Sequence, residues 1–290
     1  MAHGAPGALI LAMSYTRVIG LTSLAMIAFA GNSLFCRLAL KNTAIDAATF
    51  TAIRLISGAV MLWVIVVIRR DPRIGDGSWR SASALFLYAA AFSFAYVNLS
   101  AGTGALLLFG AVQATMIGHG LWKGERLRGL QTIGLLLAIG GMLGLLLPGV
   151  SAPPLFGSIL MLAAGVAWGA YSLRGRGAGA PIKVTAGNFL RAVPFAIVLC
   201  LLVRDDVTLD RAGMMYAVAS GALASGIGYA IWYTALPGLK ATSAATVQLS
   251  VPAIAAMGGI VFLGEPITPR LILASLAILG GIAMVILERK

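Results

Sequence analysis

The chain is built from long apolar runs that are separated by short polar connections. Ten of these runs come close to the roughly 20 apolar residues that a helix needs to cross a bilayer. We number the predicted crossings span 1 to span 10: 17–36, 47–68, 80–99, 104–122, 129–147, 154–173, 183–203, 211–235, 241–263 and 269–287. Runs of this length exclude the short alternating strands of a membrane β-barrel. The pattern therefore predicts an all-α membrane protein.

Two long stretches carry no charged side chain, so their division rests on turn residues. Residues 81–122 are interrupted at Ser100–Gly104, and residues 129–173 at Pro148–Pro154. Glycine and proline mark turns in such positions, so each stretch is predicted to hold two spans. The connections between spans are short, which leaves no room for a soluble domain.

The composition agrees with a bilayer as solvent. Hydrophobic residues make up 60% of the chain and charged residues 10%, against about 45–50% and about 25% in soluble proteins. The net charge is +12, and apart from Arg54 and Arg191 the charged residues fall in or next to the gaps between apolar runs. Charge placed there sets membrane orientation, so we predict the lipid bilayer as a partner and no nucleic acid.

The basic residues are distributed unequally between the two ends of the spans. Fourteen of the 21 Lys and Arg residues lie on one side: at the first residue of span 1, in or directly bordering the even-numbered connections, or at the C-terminus. We call the side that holds both termini the terminal face, and the other side the opposite face. Because cytoplasmic connections carry the excess of Lys and Arg, both termini are predicted to be cytoplasmic.

The first apolar run has some features of a signal peptide. Ala28-Phe29-Ala30 resembles a cleavage site, and Arg17 precedes the run. However, the run continues to Leu34 and nine more follow it. We therefore expect a retained first helix, preceded by a tail of residues 1–16.

An internal repeat relates the two halves of the chain. With a shift of 137 residues, Arg37 coincides with Arg174 and Arg54 with Arg191. The same shift brings Tyr96–Leu99 onto Tyr233–Leu236. After a three-residue insertion, two further pairs coincide: Gly124-Glu125 with Gly264-Glu265, and Gly140-Gly141 with Gly280-Gly281.

Each repeat contains five spans, so the second repeat must enter the membrane from the face opposite to the first. The predicted units are 17–147 and 154–287, two inverted five-helix repeats around a central cavity. This is the architecture of secondary transporters, in which the substrate site lies near the midplane between the repeats.

These residues resemble the drug/metabolite transporter superfamily in its ten-helix EamA type. The resemblance rests on Phe50–Arg54 in span 2, its copy Phe189–Arg191, and the pairs Gly124-Glu125 and Gly264-Glu265. It implies a bacterial inner-membrane transporter that exports small organic metabolites by alternating access. Within the superfamily, the chain is similar to the bacterial aromatic amino acid exporters of the YddG type. Amino acids, including aromatic ones, are thus the expected substrates.

No Asp or Glu lies in the middle of a span. Proton-coupled carriers relay protons through such groups, and the four-helix multidrug pumps that the chain distantly resembles use a Glu in their first helix. We therefore predict a uniporter or exchanger without a proton relay of its own. Arg54 and Arg191 do lie within spans, where a structural role and contact with a substrate anion are both open.

Candidate substrate-binding residues are aromatic and amide side chains within the spans. Tyr88, Phe92 and Tyr96 recur every four residues and share one helix face. An aromatic cavity would suit an apolar or aromatic substrate, although packing between helices is the alternative. The full set is Tyr88, Phe92, Tyr96, Trp168, Tyr171, Asn32, Gln113, Asn188, Tyr229 and Gln248.

Two prolines interrupt spans 7 and 9. Pro194 and Pro252 each remove a backbone hydrogen bond and bend a helix, so they are candidate hinges. In EamA-type proteins a proline commonly precedes the Glu of the Gly-Glu pair by 13 residues. Pro252 matches this position, whereas the first repeat has Val112, which removes the reason for a bend in span 4.

The sequence contains no pattern that is typical of a catalytic or metal-binding site. Cys36 and Cys200 belong to no metal-binding motif, and the spans contain no paired carboxylates or Ser/His arrangement. We predict neither an enzyme nor a cofactor or metal. Other functions remain open: a sugar-phosphate or nucleotide-sugar exchanger, a drug exporter, a channel and a scaffold. The oligomeric state is also open.

Overall fold

The protein is helical throughout the part of the chain that its structure, a computed structural model, describes. Those residues are 14–69, 76–149, 151–175, 179–203 and 207–288. A π-helix, Ala219–Ile227, joins α8 to α9, and a 3₁₀ helix, Leu236–Gly238, follows α9. The α-helices are α1 (Tyr15–Asn42), α2 (Ala47–Ile68), α3 (Trp79–Tyr96), α4 (Ala101–Trp122), α5 (Gly129–Leu146), α6 (Leu155–Gly175), α7 (Pro181–Leu202), α8 (Arg211–Val218), α9 (Gly228–Ala235), α10 (Ala241–Gln248), α11 (Ser250–Leu263) and α12 (Pro269–Leu287).

These helices form the ten predicted crossings. Nine segments among the described residues are long and apolar enough to cross a membrane. The tenth crossing is α3, whose mean hydropathy is lowered by Trp79, Arg80 and Ser81 in its first turn. Span 8 runs from Arg211 to Gly238 through the π-helix, and span 9 consists of α10 and α11.

Polar residues directly before the helices set several helix starts. The side chains of Asp46, Ser78, Ser100, Asp210 and Thr268 each accept hydrogen bonds from backbone N–H groups in the first turn that follows. Such N-caps satisfy donors that have no partner within the helix. A bilayer makes this more valuable, because water cannot reach an unpaired group there.

The first helix is longer than its apolar run. Span 1 was predicted to end at Cys36, and α1 continues to Asn42. The reason is that Arg37 and Lys41, which end the apolar pattern, both reach partners in the second repeat. α1 also begins at Tyr15, inside the predicted tail, of which residues 1–13 lie outside the described ranges.

The helix packing is symmetric between the repeats. In the first repeat-related pair of contacts, α1 packs against span 8, and its counterpart α6 packs against α3. In the second pair, α1 packs against α11, and its counterpart α6 packs against α4. α2 with α7 and α5 with α12 each join a helix to its own repeat counterpart. This arrangement confirms two inverted five-helix repeats around a shared centre.

Glycine allows the α5–α12 pair to approach closely at the edge of the bundle. A Cβ at Gly134 would lie 2.5 Å from the carbonyl oxygen of Gly281, and one at Gly281 would likewise collide with the Gly134 carbonyl. Small residues at a helix crossing let backbones touch in a membrane, where packing replaces the hydrophobic effect. Helices α5 and α12 thus form a scaffold apart from the cavity.

Candidate functional site

A cavity of about 580 Å³ lies between the two repeats. It reaches from the middle of the bundle, at Phe29 and Phe109, to the ends of α6 and α7 at Arg174 and Pro181. Arg174 and Pro181 belong to the connection between spans 6 and 7, so the cavity extends to the terminal face. Its wall also includes Asn32, Ser33, Tyr88, Phe92, Gln113, Trp168, Tyr171, Asn188, Ser225, Tyr229 and Gln248.

Aromatic rings from both repeats meet at Trp168 in α6. The Trp168 ring stacks on Tyr171 with centroids 5.2 Å apart and on Tyr229 at 5.5 Å. Tyr88 of the first repeat lies 4.8 Å from it in a tilted arrangement. Stacked and tilted rings at these distances attract one another and present flat apolar surface. The centre of the cavity is therefore an aromatic wall.

The structure brings nine of the ten candidate binding residues to the cavity wall. The exception is Tyr96, which is fully buried between α3 and α4. Its hydroxyl donates to the Ala101 carbonyl at 3.2 Å, and a Cβ at Gly104 would collide with its ring. Tyr88, Phe92 and Tyr96 do share a helix face, but the start of α4 covers the end of that face.

Tyr96→Phe is thus expected to lower thermal stability and to leave substrate affinity unchanged. The variant loses a buried hydrogen bond, which contributes about 1 kcal/mol, and leaves the Ala101 carbonyl with one partner fewer. The matched control is Tyr171→Phe, because Tyr171 is an equally buried phenol that does line the cavity. Thermal unfolding and substrate titration of both variants check this. A loss of affinity in Tyr96→Phe alone would contradict it.

The amides in the wall fall into two groups. Asn188 accepts a hydrogen bond from Ser78 N at 3.0 Å and donates to the Tyr171 hydroxyl at 3.4 Å, so it holds the start of α3 and orients a cavity phenol. Gln113 and Gln248 line the cavity and make no side-chain hydrogen bond to the residues that the structure describes. Their amides thus face the cavity as neutral donors and acceptors.

Arg54 lies behind the wall, not in it. Its side chain is 1% exposed, and Nη2 donates to the Tyr88 hydroxyl at 3.0 Å. The guanidinium also lies over the rings of Tyr88 and Phe92, at 5.2 and 4.8 Å from their centroids. Such cation–π contacts partly compensate a charge without neutralising it. Within the described part of the chain, Nε and Nη1 have no hydrogen-bond partner.

Arg191, the repeat counterpart of Arg54, has a different environment. Its Nη1 donates to the carbonyls of Asp76 and Gly187, at 3.2 and 3.0 Å. These contacts hold the connection before α3 against α7. Neither arginine is part of the cavity wall, so direct contact with a substrate anion has no geometric support in this conformation.

The opposite face is closed by contacts that sequence reasoning missed. Arg37 Nε lies 3.2 Å from Glu265 Oε1, and Arg37 Nη1 donates to the carbonyls of Tyr96 and Val97, each at 2.8 Å. Glu265 Oε2 accepts from the Ala101 backbone N–H at 2.8 Å. In the sequence, Arg37 and Glu265 served only to align the two repeats. Their opposite charges on the same predicted face could have indicated an ion pair.

The backbone irregularities occur in the second repeat. Span 9 breaks at Leu249, between α10 and α11, three residues before Pro252. Pro194 lies inside the uninterrupted helix α7, and α4 passes through Val112 without a break. The π-helix in span 8 was not predicted; its Gly221 lies directly against the Arg54 carbonyl, and its Ser225 lines the cavity. π-segments of this kind are frequent at functional sites.

Comparison with known proteins gives consistent matches along the chain. A model of the EamA-like transporter family matches residues 16–147 and 155–287. An uncharacterized protein of Pseudomonas aeruginosa is 62% identical over 274 residues, 94% of this chain and 96% of that protein. The threonine/homoserine exporter RhtA of Escherichia coli K12 is 33% identical over 138 residues, 46% of this chain and 45% of that protein.

Two more distant matches extend over most of the chain. An uncharacterized transporter, YoaV, of Bacillus subtilis is 24% identical over 250 residues, 81% of this chain and 85% of that protein. A solved crystal structure covers 96% of this chain and 99% of its own, with a TM-score of 0.68 and 18% identity. At that identity the likeness shows the fold alone.

Proposed function

The chain belongs to the EamA-like transporter family, and from this premise we propose that it exports amino acids, aromatic ones among them, across the bacterial inner membrane. The observation that carries the proposal is the cavity between the repeats, which combines an aromatic wall at Trp168 with neutral amides at Gln113 and Gln248. A cavity of about 580 Å³ is within the usual range for small-molecule sites. The similarity to a threonine/homoserine exporter supports amino acids as the substrate class.

We propose transport by alternating access, as a uniporter or exchanger, with Pro252 and Pro194 as hinges. The break at Leu249 and the π-helix beside the cavity supply deformable backbone in spans 9 and 8. Glu265 is the buried carboxylate among the described residues, and it lies at the end of α11, not at mid-membrane. This placement favours flux driven by the substrate gradient over a proton relay.

The proposed orientation has both termini in the cytoplasm, with the cavity continuous with that side. It rests on the excess of Lys and Arg on the terminal face. We propose 1–16 as a tail and 17–147 and 154–287 as the two repeats, and the matched family segments 16–147 and 155–287 support this division. A drug exporter and a sugar-phosphate exchanger are the competing functions.

The test is uptake and counterflow by the purified protein in liposomes without a pH gradient. Amino acids, cationic drugs and phosphorylated sugars are compared as substrates and competitors. We expect saturable counterflow of amino acids that phosphorylated compounds do not inhibit. Transport that requires a proton gradient would contradict the mechanism, and competition by sugar phosphates alone would contradict the substrate class. Non-saturable flux would indicate a channel.

A further inference from the structure

The Tyr88 hydroxyl has a restricted hydrogen-bonding role in the cavity. It accepts from Asn32 Nδ2 at 3.2 Å and from Arg54 Nη2 at 3.0 Å. The Asn32 amide is oriented by Ser220, whose hydroxyl donates to Oδ1 at 2.6 Å. A phenol oxygen has two acceptor positions and one proton. With both positions occupied, the Tyr88 proton remains to be donated to a group in the cavity.

The positive charge behind Tyr88 has no anionic partner among the residues that the structure describes. No carboxylate of the described residues lies within 4.0 Å of the Arg54 guanidinium, and its Nε and Nη1 atoms are buried without a partner. An uncompensated charge in a low-dielectric interior acts on its surroundings far more strongly than in water. The hydrogen bond from Arg54 therefore makes the Tyr88 hydroxyl a stronger donor and gives this wall a positive potential.

We propose that Tyr88 forms a carboxylate subsite, in which its hydroxyl donates to the substrate carboxylate and Arg54 acts through it as a positioning residue. This inference rests on the proposed function, since it assigns one end of an amino acid to one place in the cavity. The stacked rings of Trp168, Tyr171 and Tyr229 lie next to Tyr88 and are placed to contact the substrate side chain.

The test compares each amino acid with its own carboxamide, which keeps the ammonium group and side chain and loses the negative charge. Both compete for uptake of the labelled amino acid by the wild-type protein in liposomes. Because a hydrogen bond to a charged acceptor is stronger than one to a neutral acceptor, we expect the acid to compete about tenfold better than the amide. Equal competition by the two would overturn the subsite without any variant.

Variants then show which side chains are responsible for the preference for the acid over its carboxamide. Tyr88→Phe should abolish the preference for acid over amide as competitor, and Arg54→Gln should reduce it. Tyr171→Phe is the control, because it removes another phenol of the same wall and should leave the ratio as in the wild type. A Tyr88→Phe protein with an unchanged ratio overturns the proposal. A wild-type protein that carries no amino acid overturns the proposed function, and this proposal with it.

A second inference follows from the closed opposite face. Arg37 seals it by reaching Glu265 and the carbonyls at the end of α3. The repeat counterparts of Arg37 and Glu265 are Arg174 and Glu125 on the terminal face. Arg174 lines the mouth of the cavity there and is exposed.

The Glu positions match in local geometry as well as in sequence. Gly124 and Gly264 both have a left-handed backbone, with φ of 91° and 62°, and each ends a helix so that the next residue folds back. The Glu125 carboxylate lies over Gly120, where a Cβ would be 2.6 Å from Oε2, and the Glu265 carboxylate likewise lies over a preceding glycine, Gly259. Glu125 is exposed on the open terminal face, whereas Glu265 is buried on the closed opposite face.

We infer that the two ion pairs exchange during transport: closing the terminal face joins Arg174 to Glu125, and opening the opposite face separates Arg37 from Glu265. In the closed form, Arg174 would also reach the carbonyls of Tyr233 and Thr234, the counterparts of those that Arg37 contacts. Each pair then stabilises one of the two conformations, and a carrier with balanced pairs passes between them.

The test is the accessibility of a cavity cysteine from each side of the membrane. Phe29→Cys, at a half-buried position of the cavity wall in the middle of the bundle, is introduced into a protein with Cys36→Ala and Cys200→Ala. A membrane-impermeant thiol reagent is then added to one side of oriented vesicles. Glu125→Gln should increase labelling from the terminal face, and Glu265→Gln should increase labelling from the opposite face, each by several-fold. Lys41→Met is the control and should change neither.

Opposite shifts in the two glutamine variants support the exchange. A Glu125→Gln protein that labels like its parent overturns it, as would shifts in the same direction for both. This readout requires no substrate, so it is independent of the proposed function. Reversing a pair, as in Glu125→Arg with Arg174→Glu, should restore the parental labelling.

Discussion

Trp168→Ala is expected to weaken substrate binding by about tenfold or more and to leave the protein folded. The residue contributes one ring to three aromatic contacts at the centre of the cavity, with Tyr88, Tyr171 and Tyr229. Each aromatic pair contributes about 0.5–1.5 kcal/mol beyond its buried area, and the variant loses the surface on which a substrate ring or aliphatic chain would lie. The half-saturation concentration for uptake by liposomes measures the effect.

Two further variants make this result specific. Trp168→Phe retains a ring at the same place and should recover part of the affinity. Trp122→Ala is the matched control, because Trp122 lies at the end of α4 with 83% of its surface exposed, as expected of a membrane anchor. An equal loss of affinity in the Trp122 and Trp168 variants would show that the aromatic wall has no particular role in binding.

Glu265→Ala is expected to lower the free energy of unfolding by about 3 kcal/mol, the usual result of removing one partner from a buried ion pair. Glu265 is 8% exposed and Arg37 12%, so the remaining guanidinium would be left largely out of water. The variant also removes the acceptor for the Ala101 N–H at the start of α4. Thermal unfolding in detergent, followed by the loss of helical signal, measures the change.

Lys41→Met serves as the control for Glu265→Ala. Lys41 lies on the same face and donates one hydrogen bond, to the Leu263 carbonyl at 3.3 Å, from an exposed position. Its replacement should change the stability by no more than about 0.5 kcal/mol, as is usual for surface substitutions. Equal destabilisation by both variants would show that the closed opposite face does not depend on the ion pair.

The crossings were predictable because their cause is local. A helix must present about 20 apolar residues to cross a bilayer, whatever its neighbours are. Capping residues such as Asp46 and Thr268 likewise act within a few positions along the chain. The predicted end of span 1 was wrong because it was placed before a charged residue. Arg37 ends the apolar run, yet α1 continues through it, because Arg37 pairs with Glu265, 228 residues away in the sequence.

The cavity was predictable only in outline. Tyr88 and Tyr96 occupy the same face of α3 and have the same chemistry, but one lines the cavity and the other is enclosed by the start of α4. Helical periodicity places two residues on one face and contains no information on which other helix covers each part of it. The π-helix of span 8 escaped prediction for a related reason, since its Gly221 is accommodated by contact with α2.

Three features could be read from the amino-acid sequence alone: the ten crossings, their division into two inverted repeats, and the lack of a carboxylate in the middle of the spans. These features follow from hydropathy and from repeated residues, and both are properties of the linear sequence. The positions of Arg54 behind Tyr88, of Trp168 between rings of both repeats, and of Arg37 beside Glu265 could be seen only once the helices were packed together. Those contacts depend on how helices that are distant in sequence pack together, because packing brings polar groups to partners that no local pattern specifies.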